Sequence, residues 1–164
     1  MKRVLISIVL LLSAAVAFGQ ANYGKANQAY VMYESERDKG TNIDLMYTYL
    51  VDSYKLFAAL AEDPSNTNIE GTKNRLRAMY PALLNGAIYY SDKRQPQKGL
   101  DCAAGYIDIP QLKVFRTDLF QRDAQYPSVV YYAATSAYAL HKRPQAIKYF
   151  NEFLSLEQQG VTLD

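Results

Sequence analysis

The chain of 164 residues contains no tryptophan, one cysteine and one histidine. Each scarcity removes a class of function. A single thiol, Cys102, cannot close an internal disulfide, so the small disulfide-stapled folds are excluded. It lies in LDCAAGY, among apolar and small residues, where a cysteine serves as a small buried hydrophobe rather than a reactive thiol. The lone histidine, His141 in LHKRPQ, has no partner nearby to complete a metal site or a nucleophile–base pair, and reads as a solvated turn residue. The phosphate-binding GxxxxGK[ST] loop, G-x-S-x-G, H-E-x-x-H and C-x-x-C are all missing. The carboxylate pairs Glu34/Glu36 and Asp118/Asp123 read as surface charge, not as acid–base pairs. The expectation is a non-catalytic protein with no cofactor and no metal site. Period-two alternation is also missing. The best strand candidate, VVYY at 129–132, sits inside an alanine-rich helical pattern, so the fold class is all-α.

What is present is apolar and rich in tyrosine. Hydrophobic residues make up 49% of the chain, enough to fill a core, and there are 15 tyrosines, whose apolar ring and polar tip suit half-buried helical surfaces. Lys2 and Arg3 precede an apolar run from Val4 to Phe18, and Ala17-Phe18-Gly19 has the small residues of a cleavage site. Residues 1–19 are therefore expected to be a secretory signal peptide, with an uncleaved anchor as the alternative. The run is short for a membrane span, which takes about 20 apolar residues. No cysteine follows it, which argues against a lipid-attached form. Removing Lys2 and Arg3 from the 18 basic residues leaves 16 against 16 acidic ones. A nucleic-acid partner loses its electrostatic basis once the mature chain is neutral. The expected location is exported, periplasmic or associated with the cell envelope, with no membrane span after signal cleavage.

Helical punctuation divides the remainder. Residues 20–26 are polar and expected to fray. A helix from about Asn27 ends at Gly40, and Thr41 or Asn42 caps the next. In that second helix Leu45, Leu50, Tyr54, Phe57 and Leu60 fall near helical spacing, and Asp63-Pro64 stops it. A third helix spans about Ile69 to Ser91, where Pro81 either kinks it or divides it. A fourth runs from Pro96 to about Ile107. Residues 108–125 form an insertion without a clean period, holding one irregular helical turn. Tyr126 to Glu157 forms two helices around a tight turn, and 158–164 form a tail.

Two stretches repeat one another. Leu83–Ile107 and Tyr132–Leu156 each have a helix of small and tyrosine residues, a basic polar turn, and a Pro-Gln pair, Pro96-Gln97 or Pro144-Gln145. A small residue follows, Gly99 or Ala146, then a large one, Leu100 or Ile147. Ala133, Ala134 and Ala137 allow close approach, and Ala146, Ile147, Phe150, Phe153 and Leu154 are expected to fill one stripe. With Ala134, Leu140, Ala146 and Phe150 at these places, the chain resembles the tetratricopeptide repeat family over Val130–Leu156. Val130 stands where the family has its signature tryptophan, and Ala133 and Ala137 replace larger residues. The copy at Leu83–Ile107 keeps Gly86, Tyr89, Gly99 and Ala103 with one extra turn residue, and the hairpin at about 27–64 shares the architecture. The offset of roughly 48 residues between Gly86 and Ala134 exceeds the family's period of about 34, and the 108–125 insertion accounts for the excess.

The resemblance implies a short α-solenoid of stacked antiparallel hairpins, at about 27–64, 69–107 and 126–157, within one domain over 27–157. It also implies a concave groove lined by the first helix of each hairpin. Its positions would be Ser128, Tyr131, Thr135 and Tyr138 in the last hairpin and Tyr80, Leu83, Ala87 and Tyr90 in the one before, a tyrosine-rich surface for a protein or peptide partner. The alternative for these side chains is packing between helices. The functional expectation is a scaffold binding protein partners in the envelope. The alternatives are the N-terminal structural part of a longer array, self-associating through the C-terminal helix or stacking on further repeats, and an accessory protein of envelope glycan handling.

Overall fold

A computed structural model of the chain describes residues 22–116, 120 and 122–158. The expected signal peptide, residues 20–21, Asp118 and most of the expected tail lie outside the described residues. Among the described residues there are six α-helices and no strand: α1 at 22–39, α2 at Ile43–Glu62, α3 at Ile69–Asp92, α4 at Pro96–Asp108, α5 at Tyr126–Ala139 and α6 at Arg143–Gln158. No helix among them is long and apolar enough to cross a membrane. The all-α reading holds.

The chain forms two compact units. One holds α1, α2 and α3 up to Leu76, with Leu112–Val114; the other holds Arg77–Gln111 and the chain from Phe115 onward.

In the first unit, α1 starts at least five residues before the predicted Asn27. Ala26 is fully buried and the Tyr23 ring meets Phe57 edge-on at 5.6 Å, so tertiary contacts hold a turn that its polar sequence would let fray. Gly40 ends α1 in the left-handed region, φ 63°, where glycine lacks the Cβ that would clash. Of the two candidate caps, Asn42 is the one that acts: its side-chain oxygen accepts the Leu45 N–H at 3.0 Å. Asp63 takes an extended ψ of 114° before Pro64, ending α2 as predicted. Buried Asn66 then ties the α2–α3 connection, donating to the Leu60 carbonyl and to Thr72 Oγ1, both at 3.0 Å. Glu36, expected as surface charge, is buried; its carboxylate pairs with Lys39 at 2.7 Å.

Helix α3 runs unbroken through Pro81. Pro81 is exposed, so water can satisfy the carbonyl one turn back that its missing N–H leaves without a helical partner.

In the second unit, α3–α4 and α5–α6 are joined by the same turn. Arg94 and His141 both adopt positive φ, 55° and 57°. After α3, Gln95 N–H donates to the Tyr90 carbonyl at 2.9 Å and Arg94 N–H to that of Ser91 at 3.0 Å. After α5, Lys142 N–H donates to the Ala137 carbonyl at 2.9 Å and His141 N–H to that of Tyr138 at 3.0 Å. This is the paired-bond C-terminal motif of helices, built twice. It fixes the register between the two copies. Arg94 pairs with His141, and Gly99 pairs with Ala146. The sequence alignment on Pro96 and Pro144 is therefore one residue out at the turn, because Pro96 opens α4 whereas Pro144 is the second residue of α6.

The stripe expected on α6 is also rotated. Ala146, Tyr149, Phe153 and Leu156 are buried, whereas Ile147 and Leu154 face solvent. Between the hairpins the chain makes two short 3-10 turns, Ile109–Gln111 and Lys113–Phe115, and buries Ile109 and Phe115.

Replacing Pro81 by Ala restores the helical hydrogen bond on an exposed face. It should stabilise the protein by about 1–2 kcal/mol after the unfolded-state entropy is offset, read as a higher melting temperature with unchanged helical circular dichroism. A lower melting temperature would show that the proline shapes α3 in a way the fold requires.

Candidate functional site

The corrected register sorts the eight expected groove residues into two sets. Tyr80, Leu83, Ala87 and Tyr90 are buried, at 8%, 0%, 2% and 1% exposure; Tyr80, Leu83 and Tyr90 belong to the core, and Ala87 also lines a cleft. Their true counterparts on α5 are Pro127, Val130, Ala134 and Ala137, which are buried as well. Tyr131 and Tyr138 are open, at 45% and 70%, and Ser128 and Thr135 are half-buried. Thr135 turns its hydroxyl back onto its own helix, donating to the carbonyls of Tyr131 and Tyr132 at 3.1 and 3.0 Å. The residues of α3 that stand in the place of Ser128, Tyr131, Thr135 and Tyr138 are Pro81, Leu84, Ile88 and Ser91. None of these four is buried, and Ile88 is 45% exposed. The signal that could have found them is the turn: counting back from Arg94 and His141, instead of from the prolines, gives the residues that match in the two helices.

Three of these positions, Ile88, Ser91 and Ser128, line a cleft of about 160 Å³ between α3 and α5, whereas the Tyr131 ring meets Phe153 of α6 at 5.3 Å. Ala87, Ile88, Ser91 and Asp92 line one wall, and Gln125, Ser128, Val129 and Tyr132 the other. The lining mixes an apolar patch with hydroxyl, amide and carboxylate groups. It suits hydrogen bonding to a polar chain with a small apolar side group. A second, wider hollow of about 580 Å³ lies between α1 and α2, with Ala29, Met32, Tyr49 and Leu56 between Lys25, Asp52 and Lys55. Its residues gave no motif in the sequence.

The walls of the α3–α5 cleft are fixed from behind by small residues and by tyrosines. A Cβ on Gly99 would fall 1.9 Å from Tyr132 Oη, so glycine there is what lets α4 sit against α5. Beyond it, the Tyr80 and Tyr106 rings stack at 4.2 Å, and Tyr106 lies 5.9 Å from Tyr126. The Tyr106 hydroxyl donates to the Asp123 carboxylate, and Tyr126 donates to Glu152 Oε1 at 2.5 Å. Gln111 Nε2 donates to the same Glu152 oxygen at 3.2 Å, and the Arg122 guanidinium lies over the Tyr126 ring at 4.5 Å. Phe120 meets both Tyr80 and Phe115 edge-on, at 4.9 and 5.0 Å. The described part of the insertion is thus packed through aromatic side chains.

Burial is the main cause that raises the ionisation of Tyr106, Tyr126 and Tyr149 above the ordinary tyrosine range, and neighbouring carboxylates add to it. Burial likewise pushes the Cys102 thiol up to about 12, as expected for an inert side chain. His141 is exposed in its turn, as expected. Among the described residues no group of three or more His, Cys, Asp or Glu side chains could hold a metal ion. No protein-family model, no curated protein and no solved structure matches this chain.

Two outcomes follow. Gly99→Ala removes the space for Tyr132 and should destabilise the protein by about 1–3 kcal/mol despite alanine's better helix propensity, measured by chemical denaturation. The raised tyrosines hold their protons in the fold, whereas unfolded tyrosines ionise near pH 10. Their contribution is therefore complete below about pH 10 and is lost as pH rises further. The melting temperature should fall steeply above that pH, and Tyr106→Phe/Tyr126→Phe, weaker at neutral pH, should show a shallower alkaline fall. Equal slopes would refute the assignment.

Proposed function

We propose that the protein is a non-catalytic helical-repeat scaffold of the tetratricopeptide type, which binds a protein or peptide partner along the α3–α5 face. The single observation that carries this reading is the pairing of Leu84, Ile88 and Ser91 on α3 with Tyr131, Thr135 and Tyr138 on α5. Two hairpins with one turn geometry present equivalent unburied stripes, and Ile88 and Ser91 of the first stripe line a cleft with Ser128 of α5. Repetition of a supersecondary unit with its first helices on a common face is the logic of an α-solenoid. Exposed apolar surface such as that of Tyr138 and Ile88 gains free energy when a partner covers it, and tyrosine is favoured at protein interfaces. The basic, apolar, small-residue pattern of residues 1–19 supports an exported protein acting in the periplasm or cell envelope.

The test compares proteins retained from envelope extract by the wild type, by Tyr131→Ala/Tyr138→Ala and by Ser128→Arg. The first variant removes the exposed rings and the second fills the cleft. A partner held by the wild type should bind at least about tenfold more weakly to both, the loss of roughly 1.4 kcal/mol, with circular dichroism unchanged. Undiminished binding to both variants would place the partner site elsewhere.

A further inference from the structure

Helix α6 has two apolar sides, and only one is used. Ala146, Tyr149, Phe153 and Leu156 are buried. On the other side Ile147 is 60% exposed and Leu154 52%, with half-buried Phe150 between them. Spacings of three, four and seven residues place these three on one stripe. The stripe ends in opposite charges. Arg143 stands one turn before Ile147 and Glu157 one turn after Leu154, and both are exposed.

That arrangement is self-complementary. We propose that the stripe is the contact surface of a homodimer, in which α6 pairs antiparallel with α6 of a second copy. The two-fold axis crosses the helix between Phe150 and Asn151. Ile147 then packs on Leu154 of the partner subunit, and the reverse, as a two-fold interface requires. Arg143 comes within one residue, about 1.5 Å along the axis, of the level of Glu157 of the partner subunit, close enough for its long side chain to pair, and this occurs twice. The positive N-terminal end of each helix lies beside the negative C-terminal end of the other. A parallel pair would set arginine against arginine and glutamate against glutamate, so charge selects the antiparallel form. One helix pair buries less than a standard interface, so the dimer is weak, micromolar or weaker in dissociation constant. The proposal does not depend on the α3–α5 cleft.

Sedimentation of the full chain from low micromolar to about 1 mM tests it, with four variants: Leu154→Glu, Arg143→Glu, Glu157→Arg and the double charge reversal. All four changes fall on exposed side chains, and circular dichroism checks that each variant is folded. The wild type should pass from monomer to dimer, and Leu154→Glu should remain monomeric. Each single reversal turns two attractive pairs into two repulsive ones and should weaken the dimer about tenfold, while the double reversal should return it to within about twofold of wild type. A monomer at every concentration would overturn the proposal. So would a dimer that survives Leu154→Glu, or a double reversal no tighter than the singles.

Discussion

Two tyrosine–carboxylate bonds hold the second unit in register. Tyr106 at the end of α4 donates to Asp123 in the insertion, and Tyr126 at the start of α5 donates to Glu152 on α6. A buried phenol needs a partner for its hydroxyl, and a carboxylate is the strongest acceptor a side chain offers. The rings supply apolar area and the tips supply direction, so the connection between the hairpins is anchored at its α5 end without regular secondary structure. Because Glu152 receives both Tyr126 and Gln111, one carboxylate ties α5, α6 and the 3-10 turn after α4 together. Losing it would leave the phenol and the amide with the longer bonds to the Ile107 carbonyl, at 3.5 and 3.3 Å.

Packing at this unit's centre is set by what is small. Gly99 admits the Tyr132 hydroxyl, and Ala133, Ala134 and Ala137 are fully buried beneath their neighbours. Tyr132, which packs over Gly99 of α4, also lines the cleft between α3 and α5. The tyrosines divide in two: Tyr80, Tyr90, Tyr106, Tyr126 and Tyr149 are interior, whereas Tyr131 and Tyr138 are open.

The elements were legible because each carries local punctuation. Gly40, Asn42, Asp63-Pro64 and Pro96 act through φ, a missing N–H or a capping oxygen, and those effects need no tertiary partner. What was not legible depends on partners distant in sequence. The extra turn of α1 rests on Phe57, some thirty residues on. Pro81 could stay helical because that face meets water, which no local pattern states. The alignment of α3 on α5 was one residue out: a single position in register turns a helical residue about 100°, and that set buried Ala87 and Tyr90 where Ile88 and Ser91 match Thr135 and Tyr138. The hairpins and the two open tyrosines were readable; the identity of the α3 wall was not.

Cys102 gives the second unit a built-in clock. Its side chain has no exposure, and burial raises its thiol to about 12, so in the closed state it is neither reachable nor ionised. A thiol reagent can modify it only during moments when α4 separates from its neighbours. The labelling rate therefore counts those openings in a single chemical event per molecule, at native temperature and without denaturant.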